Sequence, residues 1–373
     1  MLTEQSGHPV PASSLGLVRV LLTILCLHLV TRAAHSADLR LTMITPIGFA
    51  ESQLWNCNTN GDAIGLCEIY DSAGASIAVF PCLASTDSLI PLPRLEGYKL
   101  CELFSLSDTG LAVGHAYSPI DSKAVKLRAV IVDAEAGKVT ELDTPDPQSP
   151  AIATSICKDG TVIAGVVSGK PNIWERSDNS WRAVSLPLPD EQLTTQKVFL
   201  CDNGTYAVAG MRSQATALLC TWQLQDRVWL LVSKIEAALS PTDVNDHATV
   251  VGSQAIQVDG KILTRGFQLQ LDGSLSTIEP LEGDTFSTLR SINNQNVAVG
   301  WSDAVGVANK GPRSIQASAG KVKPIDLGNV LVEASQAFAI NDSGQVVGLL
   351  SRRNDPHSVG FILEKPAEVD KEP

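Results

Sequence analysis

The chain has 373 residues, a formal net charge of −12 and 5% aromatic residues. That length allows a large core or several domains. The acidity excludes nucleic acid as a partner, because phosphates call for a basic footprint. Its 28 glycines and 20 prolines favour many turns over long helices.

The first feature in chain order is Val20 to Val30 (VLLTILCLHLV), an eleven-residue apolar run behind Arg19 and ahead of small residues up to Ala37. This predicts a secretory signal peptide over residues 1–36, cleaved after Ser36. The run is too short to span a bilayer comfortably. Glu4 and the long stretch before Arg19 leave an uncleaved anchor as the alternative. No later segment is apolar for 18 residues, so no membrane span is expected in the mature chain.

Beyond Leu39–Met43 (LRLTM), one nine- or ten-residue pattern recurs seven times. The copies are CNTNGDAIG (Cys57 to Gly65), LSDTGLAVG (Leu106 to Gly114), CKDGTVIAG (Cys157 to Gly165), CDNGTYAVAG (Cys201 to Gly210), VNDHATVVG (Val244 to Gly252), INNQNVAVG (Ile292 to Gly300) and INDSGQVVG (Ile340 to Gly348). Their closing glycines stand 49, 51, 45, 42, 48 and 48 residues apart. A period of this size signals a repeat architecture. Around each copy the pattern reads strand, Asn/Asp/Gly turn, return strand. A short apolar third strand follows (such as Ala129–Val132 or Gly360–Leu363), then a polar turn and a fourth strand ending in Leu or Ile.

Four-stranded units of this length, repeated seven times, predict an all-β, seven-bladed β-propeller of antiparallel blades over residues 37–366, with a charged tail at 367–373. The last copy lacks a fourth strand. Leu39–Met43 has no blade of its own, so it is expected to supply that strand and close the ring, which protects the edges. An open solenoid or two sandwiches are the competing architectures.

Asp326-Leu327-Gly328, then Ser335, Ala337 and Ala339, then INDSGQVVG, then Gly360-Phe361-Ile362, resembles the HAF-type extracellular repeat of bacteria. The resemblance covers all seven copies and is weakest in the third and fourth. It implies export and a propeller-like fold. It implies no reaction and so transfers no catalytic residue.

Cys26 leaves with the signal, and seven cysteines remain. Cys57, Cys157 and Cys201 open their copies where the others carry Leu106, Val244, Ile292 and Ile340, which reads as buried core thiols. A disulfide among Cys67, Cys82, Cys101 and Cys220 is open in an oxidising compartment. No C-x-x-C pair points to zinc. The Asp/Asn turns read as hairpins rather than calcium loops, because too few acids cluster in any one of them. Asn203-Gly204-Thr205 and Asn341-Asp342-Ser343 match the N-glycosylation pattern but sit inside the repeat turn. Hydrolase, metalloprotease and phosphate-loop motifs are absent. His115, His247 and His357 read as solvated surface residues. No cofactor, metal or catalytic residue is expected, and the chain is expected to be a monomer.

The connection between second and third strands is short in copies three and four and long in copies five, six, seven, one and two. In a closed ring this makes a wall over five contiguous blades. It carries Glu68, Tyr70, Asp71, His115, Tyr117, Trp301, Asp303, Arg352, Arg353, Asp355 and His357. Insertions on one face of a repeat array often mark its binding side. Tyr70, His115, Tyr117, Trp301, Arg352, Arg353, Asp355 and His357 are therefore the candidate binding residues. The reading is a secreted or periplasmic, non-enzymatic propeller that binds a protein or polysaccharide in the cell envelope or outside the cell. The alternatives are a propeller lyase or glycoside hydrolase with an axial active site, and a purely structural envelope component.

Overall fold

A computed structural model describes residues 29–364, apart from 37–38, 46–49, 72, 74–75, 120–125, 178–179, 308–309, 328–331, 354 and 356. The signal segment up to residue 28, its expected cleavage site at 36–37 and the charged tail at 367–373 thus lie wholly or partly outside the described residues. The described chain is all-β and forms seven antiparallel sheets arranged as a ring of seven blades.

The inner strands of the blades are Ala50–Cys57, Tyr98–Leu106, Ala151–Ile156, Phe199–Leu200, Leu239–Val244, Phe286–Ile292 and Val332–Ile340. The second strands are Ala63–Tyr70, Leu111–Pro119, Val162–Val167, Tyr206–Arg212, Val250–Val258, Ala298–Asp303 and Val346–Arg352. In blades 1 to 6 the third and fourth strands follow in order. Blade 7 is completed as expected: Leu39–Thr45 pairs antiparallel with Ser358–Glu364, from Arg40 opposite Glu364 to Ile44 opposite Gly360. Leu29–Ser36 adds a fifth strand outside it. Cleavage after Ser36 would remove that strand and leave the closing one.

The core is divided into seven wedges, each shared by two neighbouring blades. Leu54, Ala63 and Phe80 of blade 1 pack with Ile44, Val347 and Ile362 of blade 7. Val113 and Ile131 of blade 2 pack with Ile163 and Trp174 of blade 3. One blade alone buries neither of its faces, which is why the repeats are stable only in company. Trp174 and Trp222 are fully buried, and each indole N–H donates to a carbonyl on the connection to an adjacent strand, at Asp143 and Pro187 (2.6 and 2.8 Å). That removes the cost of burying a polar tip.

The repeat signature is accounted for atom by atom. Its closing glycine sits opposite a β-bulge in the inner strand. The bulges fall at Trp55, Phe104, Thr154, Thr242, Arg290 and Phe338, facing Gly65, Gly114, Gly165, Gly252, Gly300 and Gly348. A Cβ on any of these six glycines would lie 1.7–2.1 Å from an inner-strand carbonyl oxygen, so no side chain fits.

The turn Asn has two tasks. Asn245 Oδ1 accepts from Thr249 N at 3.0 Å, while its Nδ2 donates to Asn293 O of the next blade at 3.1 Å. Asn293 donates in the same way to Asn341 O, Asn341 to Asn58 O, and Asn58 to Ser107 O. The Asn341 side chain is buried in this role.

Cys157 and Cys201 depart from the sequence expectation. They occupy this Asn position, not the apolar one before it, which holds Cys57, Leu106, Ile156, Leu200, Val244, Ile292 and Ile340. The turns of blades 3 and 4 are one residue longer, and each Sγ accepts from the N–H five residues on, Val162 and Tyr206, both at 3.1 Å. The seven cysteines of the described chain are free thiols. Cys67 and Cys82 lie with their sulfurs 3.2 Å apart in the core of blade 1. Burial pushes the Cys57 and Cys101 thiols up to about 12.

Candidate ligand site at the mouth of the axial channel

A bulge turns its extra residue out of the ladder. Here the extra residues point into the axial channel, and all six line a cavity of about 300 Å³ on the axis. Blades 6, 7, 1 and 2 contribute Arg290, Phe338, Trp55 and Phe104. Blades 3 and 5 contribute Thr154 and Thr242, whose hydroxyls are spent on the next blade, at Val198 O and Leu289 O. The bulge residues of blades 6, 7, 1 and 2 are therefore aromatic or cationic, while those of blades 3 and 5 are small and internally satisfied. Blade 4 adds Lys197 and Phe199 to the lining.

The rings continue toward the rim. Trp55 stacks on Phe104 with centroids 6.3 Å apart, Phe104 on His115 at 5.3 Å, and His115 on Tyr117 at 5.1 Å. His115 and Tyr117 are two residues apart on one strand and so face the same way. Across the ring, Trp301 lies between Phe286 (6.5 Å) and Phe338 (5.7 Å). Thus His115, Tyr117 and Trp301 lie on second strands rather than in the loops where the sequence places them.

His115 is also not a solvated residue. It is 9% exposed, its Nδ1 has no hydrogen-bond partner, and burial lowers its pKa below the ordinary histidine value. His247 is exposed, and its ring meets Asn294 O at 3.2 Å.

Two cations sit among the rings. Lys197 Nζ lies 4.8 Å from the Phe104 centroid, reaching across from blade 4. The Arg290 guanidinium lies 5.7 Å from Trp301 and 5.9 Å from Phe338. Such placements are favourable where water is partly excluded. Lys197 is exposed as a residue and Arg290 half-buried, but both line the cavity. Desolvation there, then the charge of Arg290, lowers the pKa of Lys197, and desolvation lowers that of Arg290. The acids that act on them are engaged elsewhere. Glu102 accepts from Tyr117 Oη at 3.0 Å. Asp243 accepts from Ile292 N at 3.0 Å and from its own Val244 N at 2.9 Å. Burial pushes Asp243 up to about 7 despite these bonds.

The opposite end of the channel carries a polar plug of turn residues. Lys158 of blade 3 bridges Asp202 (2.7 Å) and, across the axis, Asp342 (2.6 Å). Asn294 donates to Asp202, Asp246 and Asp342 at 3.0–3.3 Å. Among the described residues no group of acids, histidines and cysteines has the arrangement of a metal site, and no helix is long and apolar enough to cross a membrane.

The remaining candidates form a second cluster, on the rim of blades 7 and 1. Tyr70 and His357 have ring centroids 5.8 Å apart, and His357 Nδ1 is 3.6 Å from Glu51. Asp355 pairs with Arg352 and accepts from His357 N. Arg353 is exposed beside them. In blade 5 the long connection is not a loop but a continuation of the hairpin to a tip at Asp259-Gly260, with Ile262 79% exposed.

Sequence reasoning missed Trp55, Phe104, Lys197, Arg290 and Phe338. For all but Lys197 a signal existed: they stand two residues before the first residue of a copy. Lys197 lies in a connection that no copy covers.

No family model matches the chain, and no curated protein matches it. Among solved structures it is similar to an oligogalacturonate lyase in complex with manganese, with a TM-score of 0.56 and 10% identity over 91% of this chain and 96% of the other. It is similar to an uncomplexed acylaminoacyl peptidase of Pyrococcus horikoshii (TM-score 0.52, 9% identity, 84% of this chain and 52% of the other). It is also similar to a puromycin-hydrolyzing peptidase of Mycobacterium tuberculosis (0.51, 12%, 85% and 52%). The chain spans about half the length of each peptidase. At these identities the likeness shows the fold alone.

Proposed function

We propose that this propeller is a non-enzymatic binding protein that acts outside the cytoplasm and takes a polysaccharide ligand at the mouth of its axial channel. The observation that carries the reading is the run of rings from Trp55 through Phe104 and His115 to Tyr117. Flat aromatic faces pack against the apolar faces of sugar rings, and the cavity is large enough for a ligand end. The apolar segment at Val20–Val30 and the resemblance to extracellular repeats support export.

The test is retention on immobilised polysaccharides and in pull-downs from envelope fractions, comparing wild type with a Trp55→Ala, Tyr117→Ala, Trp301→Ala variant whose fold is checked by circular dichroism. A ligand held by the wild type and released by the folded variant is the expected result. Equal retention by both would move the site away from the mouth. Capture of a protein in place of a glycan would change the ligand class.

Asp243 favours a second reading. A carboxyl group in a cleft, with its pKa raised to about 7, is a general acid/base candidate. Against that reading, each of its oxygens accepts from a backbone N–H.

A further inference from the structure

Among the described residues that line the mouth, Lys197 and Arg290 are the cations without a direct counterpart: neither side chain makes an ion pair or a hydrogen bond. Each holds its charge against an aromatic face, and Arg290 raises the electrostatic cost of Lys197. In a chain of net charge −12, pairing these cations with a carboxylate of the protein's own was an accessible solution. Other cations of the chain take it: the buried Arg128 and Arg265 have Glu141 and Glu279, and the half-buried Lys158 has two acids.

We infer that Lys197 and Arg290 form an anion subsite at the channel mouth, and that the ligand is an acidic glycan whose carboxylate or sulfate sits between them. The inference rests on the reading of the mouth as a glycan site. An oxyanion there supplies the missing counter-charge, while the ring that carries it lies against Phe104 or Phe338. Charge-assisted hydrogen bonds in a partly desolvated site are the strong ones. An acidic peptide fits less well, because it would need free backbone groups for main-chain pairing. Five inner-strand N–H groups near the axis are already taken by side chains of the preceding blade, at Leu106, Ile156, Leu200, Ile292 and Ile340.

The test is calorimetric titration of the purified full chain with a hexuronate oligosaccharide, a sulfated oligosaccharide, a neutral oligosaccharide of equal length and an acidic peptide. One of the two anionic glycans should bind at least about tenfold more tightly than the neutral one, and Lys197→Gln or Arg290→Gln should each erase about that factor. Lys138→Gln, at an exposed position on the outer strand of blade 2, should change affinity by less than about twofold. Binding of the anionic glycan should also weaken as salt is raised from 50 to 500 mM, about tenfold or less for a partly screened site. That measurement needs no variant to fold. Equal binding of neutral and anionic glycans, or no dependence on salt, would overturn the anion subsite while leaving a glycan-binding mouth. Tightest binding of the peptide would overturn the ligand class. No binding of any probe would overturn the inference, and retention of other polysaccharides by wild type but not by the aromatic variant would then still uphold the mouth.

Discussion

The two arcs of the ring are built on one plan and differ at one position. Blades 6, 7, 1 and 2 place Arg290, Phe338, Trp55 and Phe104 at the bulge, while blades 3 and 5 place Thr154 and Thr242 there. The glycine opposite the bulge is common to both arcs. The side chain one residue later holds the next blade from Asn56, Ser105, Ser155, Asp243 and Ser291, but not in blade 7, where it is Ala339. The bulge residue is the one that the scaffold does not use to hold the inner strand to its partner. It can therefore be a threonine that ties two blades together or a large side chain that lines the cavity. The blades vary most where the repeat imposes least.

The comparison can be tested most severely at the glycines. Gly300→Ala puts a Cβ 2.0 Å from Thr288 O and is expected to cost at least about 3 kcal/mol in urea-induced unfolding. In blade 4, which has the shortest inner strand, a Cβ on Gly210 would first meet Pro241 Cδ at 2.9 Å and Leu239 O at 3.0 Å. Gly210→Ala should cost about 1–2 kcal/mol. Equal losses would mean that Gly210, one residue beyond the matching position that Ala209 holds in blade 4, is as tightly enclosed as Gly300.

Asp243 offers a sharper distinction. It stands where Ser105, Ser155 and Ser291 make the same bond to the next blade. Its folded-state pKa of about 7 lies above its ordinary 3.8, so the fold favours the protonated form. The destabilisation is absent below about pH 4, grows as the pH rises through the interval and is complete above about pH 7. Asp243→Ser should remove that slope, on the order of 4 kcal/mol between the two limits. Chemical unfolding of both proteins at pH 4.5 and 7.5 checks it. A wild type that loses no stability relative to the variant over that range would refute the raised pKa.

The smallest effect is expected in the turn of blade 5. The fourth turn position has positive φ throughout, and Gly61, Gly110, Gly160, Gly204 and Gly344 supply it in five blades. Ala248 occupies it at φ 57° and Asn296 at 58°. Ala248→Gly should stabilise the protein by up to about 1 kcal/mol, because alanine is strained there. A fall in melting temperature would show that the lost methyl group matters more than the strain.

Much of this plan was legible in the sequence, because turn chemistry and strand alternation are local. Asn, Asp and Gly marked the hairpins, and the leftover strand at Leu39–Met43 announced the closure. The bulge was not legible, since an extra residue in a strand leaves the apolar pattern on either side nearly intact. Its trace was the closing glycine, which looked like turn punctuation but answers a close approach from the strand opposite. Cys157 and Cys201 were misaligned by one position for a related reason. Cysteine is apolar enough to match isoleucine in a column of letters, yet its sulfur accepts a hydrogen bond where asparagine otherwise does. At the candidate site, the length of the neighbouring connections points to His115, Tyr117 and Trp301 as loop residues. The structure instead places them on strands, in stacks that lead toward the axis. Lys197 meets Phe104 only because the ring turns the inner edges of blades 2 and 4, on either side of blade 3, toward the one axial cavity.

The closing strand has a consequence for how the molecule is made. Leu39–Thr45 leaves the ribosome among the first described residues, and its partner Ser358–Glu364 among the last. Until that partner arrives, Leu41, Met43 and Ile44 have nowhere to bury. Blades can assemble one upon another in the meantime, because each contact between neighbours is local, but the last step must join ends more than 300 residues apart. Pairings of such long range are slow. A chain with this topology therefore spends much of its synthesis as an unlatched arc, whose open edges stay unpaired until the final strand is made.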